Sequence, residues 1–134
     1  MNHLILQTPL ADFTLDPADH FLRQHAPEIQ PDGTILLFDN GLGVDEASRQ
    51  GDGVERAREY SRAIELELSF DDAGLPLRAE VVWEYVDYEL FAESRSEADR
   101  LPNGNTLISA TSADRVIEVD GIPVRRWYRE RGWN

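Results

Sequence analysis

The sequence predicts an all-β chain of antiparallel, propeller-type blades, and three observations carry that expectation. Short apolar or alternating runs are bounded by turn residues, as in Pro31-Asp32-Gly33, Asp39-Asn40-Gly41 and Pro102-Asn103-Gly104. The order of turns, strands and tryptophans in the first half recurs in the second. One run, Ile35-Leu36-Leu37-Phe38, is apolar without alternation, so a strand there has to be covered on both faces. A small twisted sheet with two apolar faces gains that cover when neighbouring sheets stack on it.

Along the chain, Leu4-Ile5-Leu6 reads as a short strand ending before Pro9. Asp12 to Phe21 reads as a polar loop anchored by Phe13, Leu15 and Phe21. Gln24 to Gly41 follows, with His25 ahead of the Pro-Asp-Gly turn and the Ile35–Phe38 strand after it. Leu42 to Tyr60 is a charged, glycine-rich insertion in which Val54 to Tyr60 has too few apolar residues to pin a helix. Ala63 to Leu68 alternates, predicting Ile64, Leu66 and Leu68 inward. Asp71 to Gly74 reads as a turn, and Ala79 to Val86 as a strand with Val81, Trp83 and Tyr85 on one face. Tyr88 to Ser96 is a loop.

The grammar then repeats. Leu101-Pro102-Asn103-Gly104-Asn105-Thr106 mirrors Gln30-Pro31-Asp32-Gly33-Thr34-Ile35, with Pro31 and Pro102 lying 71 residues apart. Arg115-Val116-Ile117-Glu118 mirrors Arg62-Ala63-Ile64-Glu65 at a separation of 53, and Trp127 mirrors Trp83 at 44. The falling offsets place extra residues in the first copy, chiefly the insertion. A turn–strand–strand–strand unit every ~40–50 residues is the pattern of propeller blades. The expected organisation is one partial propeller domain over residues 1–134, with blade one at about 22–88, interrupted by the 42–60 insertion, and blade two at about 96–130.

Composition narrows the function classes. The chain has 134 residues, 41% of them hydrophobic, enough for one globular core. Its net charge of -13 opposes binding to nucleic acid or anionic lipid. The N-terminal stretch lacks a basic region, and no run is long and apolar enough to span a bilayer, so neither a signal peptide nor a membrane span is expected. All 13 basic residues are arginine. With no cysteine there is no disulfide, thiolate nucleophile or cysteine metal site. No His-Glu-x-x-His, P-loop or dinucleotide glycine motif occurs, and no cofactor is expected. Asp39, Asp45 and Glu46 suggest calcium only weakly, because the twelve-residue loop pattern puts Gln50 where a bidentate glutamate belongs. No metal site is expected.

Gln24-His25-Ala26, Pro31-Asp32-Gly33, Ile35 to Gly41, Tyr60 to Glu65 and Val82-Trp83-Glu84-Tyr85, taken in that order, resemble the aryl-sulfate sulfotransferase family. The Leu101–Ile108 stretch is similar to that family's next blade, and the resemblance covers roughly Ala11 to Val119. It implies a six-bladed propeller that moves a sulfuryl group from an aryl sulfate to a phenol through a sulfated histidine, without a nucleotide donor. By motif position the histidine is His25. About two of six blades are then present, so further copies of the chain or a partner chain would complete the ring. The alternative is a catalytically silent propeller fragment that serves as an assembly or binding module.

Imidazole suits such chemistry, being nucleophilic near neutral pH and a good leaving group once sulfated. The transferred group is anionic and needs cations or N–H donors around it. Arg23, Arg62 and Arg100 lie close to the turn motifs, and Arg62, Arg100 and Asn40 are the expected substrate-binding residues. Each has a plainer role: a histidine ahead of a buried strand often only satisfies a hydrogen bond, and Arg62, repeated as Arg115, fits a salt bridge to a neighbouring strand. Trp83 and Trp127 fit blade packing. His3 and His20, in polar segments, are expected to be solvated.

Overall fold

The computed structural model describes residues 12–16, 19–41 and 60–121. Its strands are β1 (Thr14–Leu15), β2 (His25–Ile29), β3 (Ile35–Asp39), β4 (Arg62–Phe70), β5 (Pro76–Val86), β6 (Glu97–Arg100), β7 (Thr106–Ala110) and β8 (Arg115–Val119). They form a five-stranded sheet in the order β1-β5-β4-β3-β2 and a three-stranded sheet in the order β6-β7-β8. The all-β expectation holds: the described residues contain no α-helix, and their helical structure is limited to 3-10 geometry at Asp19 and at Thr111–Ala113. The pairing is antiparallel except at β1, which runs parallel to β5. The Asp12–Phe21 segment is therefore not wholly loop. The expected strand at Leu4–Leu6, the insertion up to residue 59, the tryptophan at 127 and His3 lie outside the described residues.

The repeat seen in sequence is a repeat of hydrogen-bonded register. Asp39 faces Arg62, Leu37 faces Ile64 and Ile35 faces Leu66. Ala110 faces Arg115, Ile108 faces Ile117 and Thr106 faces Val119, the same ladder displaced by the offsets of the sequence. The turns match as well. Gln30 N–H donates to Thr34 O at 2.8 Å and Gly33 N–H to Gln30 O at 2.9 Å; Leu101 and Gly104 make the same two bonds at 2.8 and 2.9 Å. Gly33 and Gly104 have φ of 90° and 87°, a region that side chains with a Cβ avoid, which is why glycine recurs there.

β3 is buried on both faces, as its unbroken apolar run requires. Leu36 and Phe38 join Ala63, Trp83, Leu90, Ala92, Ala98, Ile108 and Ala110 in the seam between the sheets. Leu37 faces the other way, packing with Ile64, Leu66, Ala79 and Val81 beneath Phe13, Leu15 and Phe21. Each buried Leu, Ile, Val or Phe among them contributes roughly 1.5–3 kcal/mol when removed from water. The three expected anchors therefore close the back of the first sheet from within the chain.

Two strand readings change. Val81, Trp83 and Tyr85 do not share one face. Glu65 pairs with Trp83 while Leu66 pairs with Val81, so Val82 is an extra residue, and this bulge turns Val81 to the back and Trp83 to the seam. β4 does turn Ile64 and Leu66 to the back, with Leu68 partly packed there, but its opposite face is buried too, at Ala63 and Glu65. Alternation in sequence marks a half-buried strand only when no second sheet covers the polar face.

Candidate functional site

His25 opens β2 at a distorted place. The β2–β3 register shifts between His25 and Glu28, and Ala26 within the bulge has φ of 50°. Pro27, which has no N–H, leaves no ladder donor unpaired there. Arg23, two residues before the histidine, has φ of 54°, and across the seam Arg95 and Ser96 have φ of 58° and 83°. Left-handed backbone at a non-glycine residue costs about 1–3 kcal/mol and persists where surrounding contacts impose it.

Those contacts converge on the imidazole. Asn40 Oδ1 lies 2.7 Å and Arg23 O 3.0 Å from His25 Nδ1. The Asn40 amide is oriented by its own nitrogen, which donates to Ala92 O at 2.6 Å and Arg95 O at 3.1 Å. Both neighbours of Nδ1 are thus acceptors, so Nδ1 carries the proton. Nε2 is then the basic nitrogen, and it accepts the Arg95 N–H at 3.2 Å. Asn40 is fully buried, whereas His25 is half-buried at the rim. Below them Ser61 Oγ donates to Asn40 O at 2.9 Å and accepts Ala92 N–H at 2.8 Å.

Of the expected site residues, His25 and Asn40 come together. Arg62 pairs with Asp39, the residue next to Asn40, but lies on the back face of the sheet, because Asp39 and Asn40 are consecutive and point opposite ways. Its Nε donates to Asp39 Oδ2 at 2.8 Å, Nη1 to Glu84 Oε2 at 3.0 Å and Nη2 to His20 O at 2.9 Å. Asp39 Oδ1 in turn accepts Leu22 N–H at 2.9 Å and Gly41 N–H at 3.1 Å. Burial alone would push the Arg62 guanidinium down, but Asp39 and then Glu84 outweigh it and hold it above its ordinary value. The salt-bridge role is the one the geometry gives it, and an anionic ligand would have to displace a carboxylate to reach it. Asp39, named for calcium, is committed to this network; the other two calcium candidates lie outside the described residues. His20 is half-buried rather than solvated, with its carbonyl on Arg62.

Arg100 sits at the far end of the ladder. It pairs with Thr106 at the start of β7, whereas His25 pairs with Phe38 near the end of β3. Its Nη2 donates to Glu65 Oε2 at 2.7 Å and its Nε to Thr106 Oγ1 at 3.0 Å, and its guanidinium lies 5.3 Å from the Trp83 ring centroid. This joins the two sheets through the buried tryptophan, the packing role expected of Trp83. Arg115, the repeat of Arg62, also makes a salt bridge, to Asp87 at 3.2 Å.

Sequence reasoning missed Arg95 and Ala92. Arg95 lies 70 residues from His25 in an irregular loop, and no motif marks it. Ser61 carried a signal, as the residue before the repeated arginine, but its hydroxyl bonds did not.

A family model described as arylsulfotransferase (ASST) matches residues 6–123. No curated protein and no solved structure matches the chain. The family match takes in the bulged histidine, the Asn40 turn, the Ser61-Arg62 pair and the second turn–strand unit alike, and the chain belongs to the arylsulfotransferase (ASST) family.

Proposed function

We propose that this chain transfers a sulfuryl group from an aryl sulfate to a phenol, with His25 as the group's temporary carrier. The observation that carries this reading is the fixed tautomer: Nδ1–H is held by Asn40 Oδ1 at 2.7 Å, and the lone pair is left on Nε2 at the half-buried rim. In the first half-reaction Nε2 attacks sulfur, the S–O bond to the aryl group breaks, and its electron pair leaves with the phenolate. The imidazole then carries positive charge, which Asn40 Oδ1 and Arg23 O stabilise through Nδ1–H. In the second half-reaction a phenol oxygen attacks the same sulfur, its proton passing through solvent to the phenolate released in the first; the S–N bond breaks and neutral His25 returns. Imidazolium has no lone pair on Nε2, so only the neutral ring can attack sulfur.

The two sheets are read as two of six propeller blades. The shared ladder register supports this, as does a head-to-tail seam in which Leu36 and Phe38 of β3 meet Ile108 and Ala110 of β7. A head-to-tail contact repeated by rotation generates a ring, so further copies or a partner chain would close it. Three chains are the simplest route, and a solution mass near three times 15.2 kDa is the expected result.

A second reading, a catalytically silent assembly module, is favoured by the Arg95 N–H seated on Nε2 and by the ion pairs that occupy Arg62 and Arg100. Incubation of wild type and His25→Asn with an aryl sulfate and a phenol separates the two. The transfer reading expects sulfated product with wild type only, and a sulfuryl mass adduct when wild type meets donor alone. Transfer that survives in His25→Asn would remove His25 from its role. Absence of both product and adduct from the wild-type assembly would leave the module reading.

A further inference from the structure

The described residues contain six arginines. Arg62, Arg78, Arg100 and Arg115 each form an ion pair. Arg23 and Arg95 are exposed and form none among the described residues. In a chain with 26 acidic and 13 basic residues, an arginine without a carboxylate partner is unexpected, because acids outnumber it everywhere. These two are also the residues whose backbones touch the His25 ring: Arg23 O on Nδ1 at 3.0 Å and Arg95 N–H on Nε2 at 3.2 Å. Both have left-handed backbone, and Arg95 is pinned through its carbonyl by Asn40 Nδ2 at 3.1 Å.

Resting on the sulfuryl-transfer reading, we infer that Arg23 and Arg95, rather than Arg62 and Arg100, hold the oxygens of the sulfate monoester at His25. A guanidinium offers several N–H donors, and a side chain of that length can curl over the ring beside its own backbone. The Arg95 amide has a second part. In the free protein it satisfies Nε2. When sulfur bonds to Nε2 the lone pair is consumed, and the displaced N–H donates to a sulfuryl oxygen instead. The same donor therefore serves the resting ring and the sulfated one.

The test uses the full chain with inorganic sulfate as the probe, followed by backbone and imidazole NMR. Wild type is expected to show a saturable shift of the Arg95 amide and the His25 ring. Arg95→Gly and Arg95→Asn both tolerate φ of 58° and keep the N–H, so folding is preserved. Each should weaken sulfate binding about tenfold, the loss of a charge-assisted hydrogen bond, and Arg23→Gly should do the same. Arg78→Gln, which removes an exposed ion pair to Asp16, is the control for net charge and should bind as wild type does. Binding by the Arg95 variants within about twofold of wild type, or a wild-type shift that never saturates, overturns the inference. Sulfate binding as expected without any sulfuryl transfer would refute the transfer reading while leaving the two arginines as an oxyanion site.

Discussion

Asn40 Oδ1 stands 2.7 Å from His25 Nδ1, tying the turn after β3 to the first residue of β2. The same side chain donates to Ala92 O and Arg95 O, so one buried amide sets the tautomer of the ring and the position of the loop beside it.

Asn40→Ala removes all of these bonds and leaves the Ala92 and Arg95 carbonyls short of a donor. Unfolding in urea should show a loss of about 1–3 kcal/mol. Imidazole ¹⁵N shifts should move from one tautomer toward a mixture, because only Arg23 O then accepts from Nδ1–H, and the Arg95 loop that donates to Nε2 has lost its Asn40 anchor. A variant with unchanged stability and a retained Nδ1–H tautomer would show that Asn40 does not set the ring.

Arg62 is predicted to be a stability residue. Arg62→Met strands Asp39 and Glu84, two carboxylates that the guanidinium now neutralises at 2.8 and 3.0 Å. The expected cost is about 3–5 kcal/mol in denaturant unfolding, the usual penalty for breaking a buried pair from one side. If the variant instead unfolds at the wild-type midpoint and only binds an aryl sulfate more weakly, Arg62 belongs to the binding site.

Asp32 should contribute to acid sensitivity. The Thr34 hydroxyl, at 2.7 Å, and then the Thr34 amide hold its carboxyl below the ordinary value of 3.8. A depressed folded pKa stabilises the fold above the unfolded value, and the contribution disappears as pH falls through the folded one. Asp32→Asn should therefore lose stability less steeply than wild type below about pH 4 in an acid titration followed by circular dichroism. Parallel acid limbs would rule this out.

Local chemistry decided much of this molecule, and those parts were legible in the sequence. Gly33 and Gly104 mark turns because only glycine takes their φ cheaply, and the displaced copies of Ile35–Asp39 and Arg62–Leu66 reproduce a ladder because pairing register follows side-chain pattern and turn length. The unbroken Ile35–Phe38 run likewise announced a strand buried on both faces. His25 and Asn40 were identifiable as a pair of turn-flanking polar residues in a family-like order. The tertiary structure decided what those residues touch. The Val82 bulge, which parts Val81 from Trp83, adds one residue to a ladder without a glycine or proline to announce it. The ion pairs that consume Arg62 and Arg100 join strands whose facing is set by packing, and the Arg95 amide reaches His25 across a 70-residue separation. A backbone N–H has no side-chain signature, so the sequence carries no trace of where it will point; only the folded chain places it on Nε2.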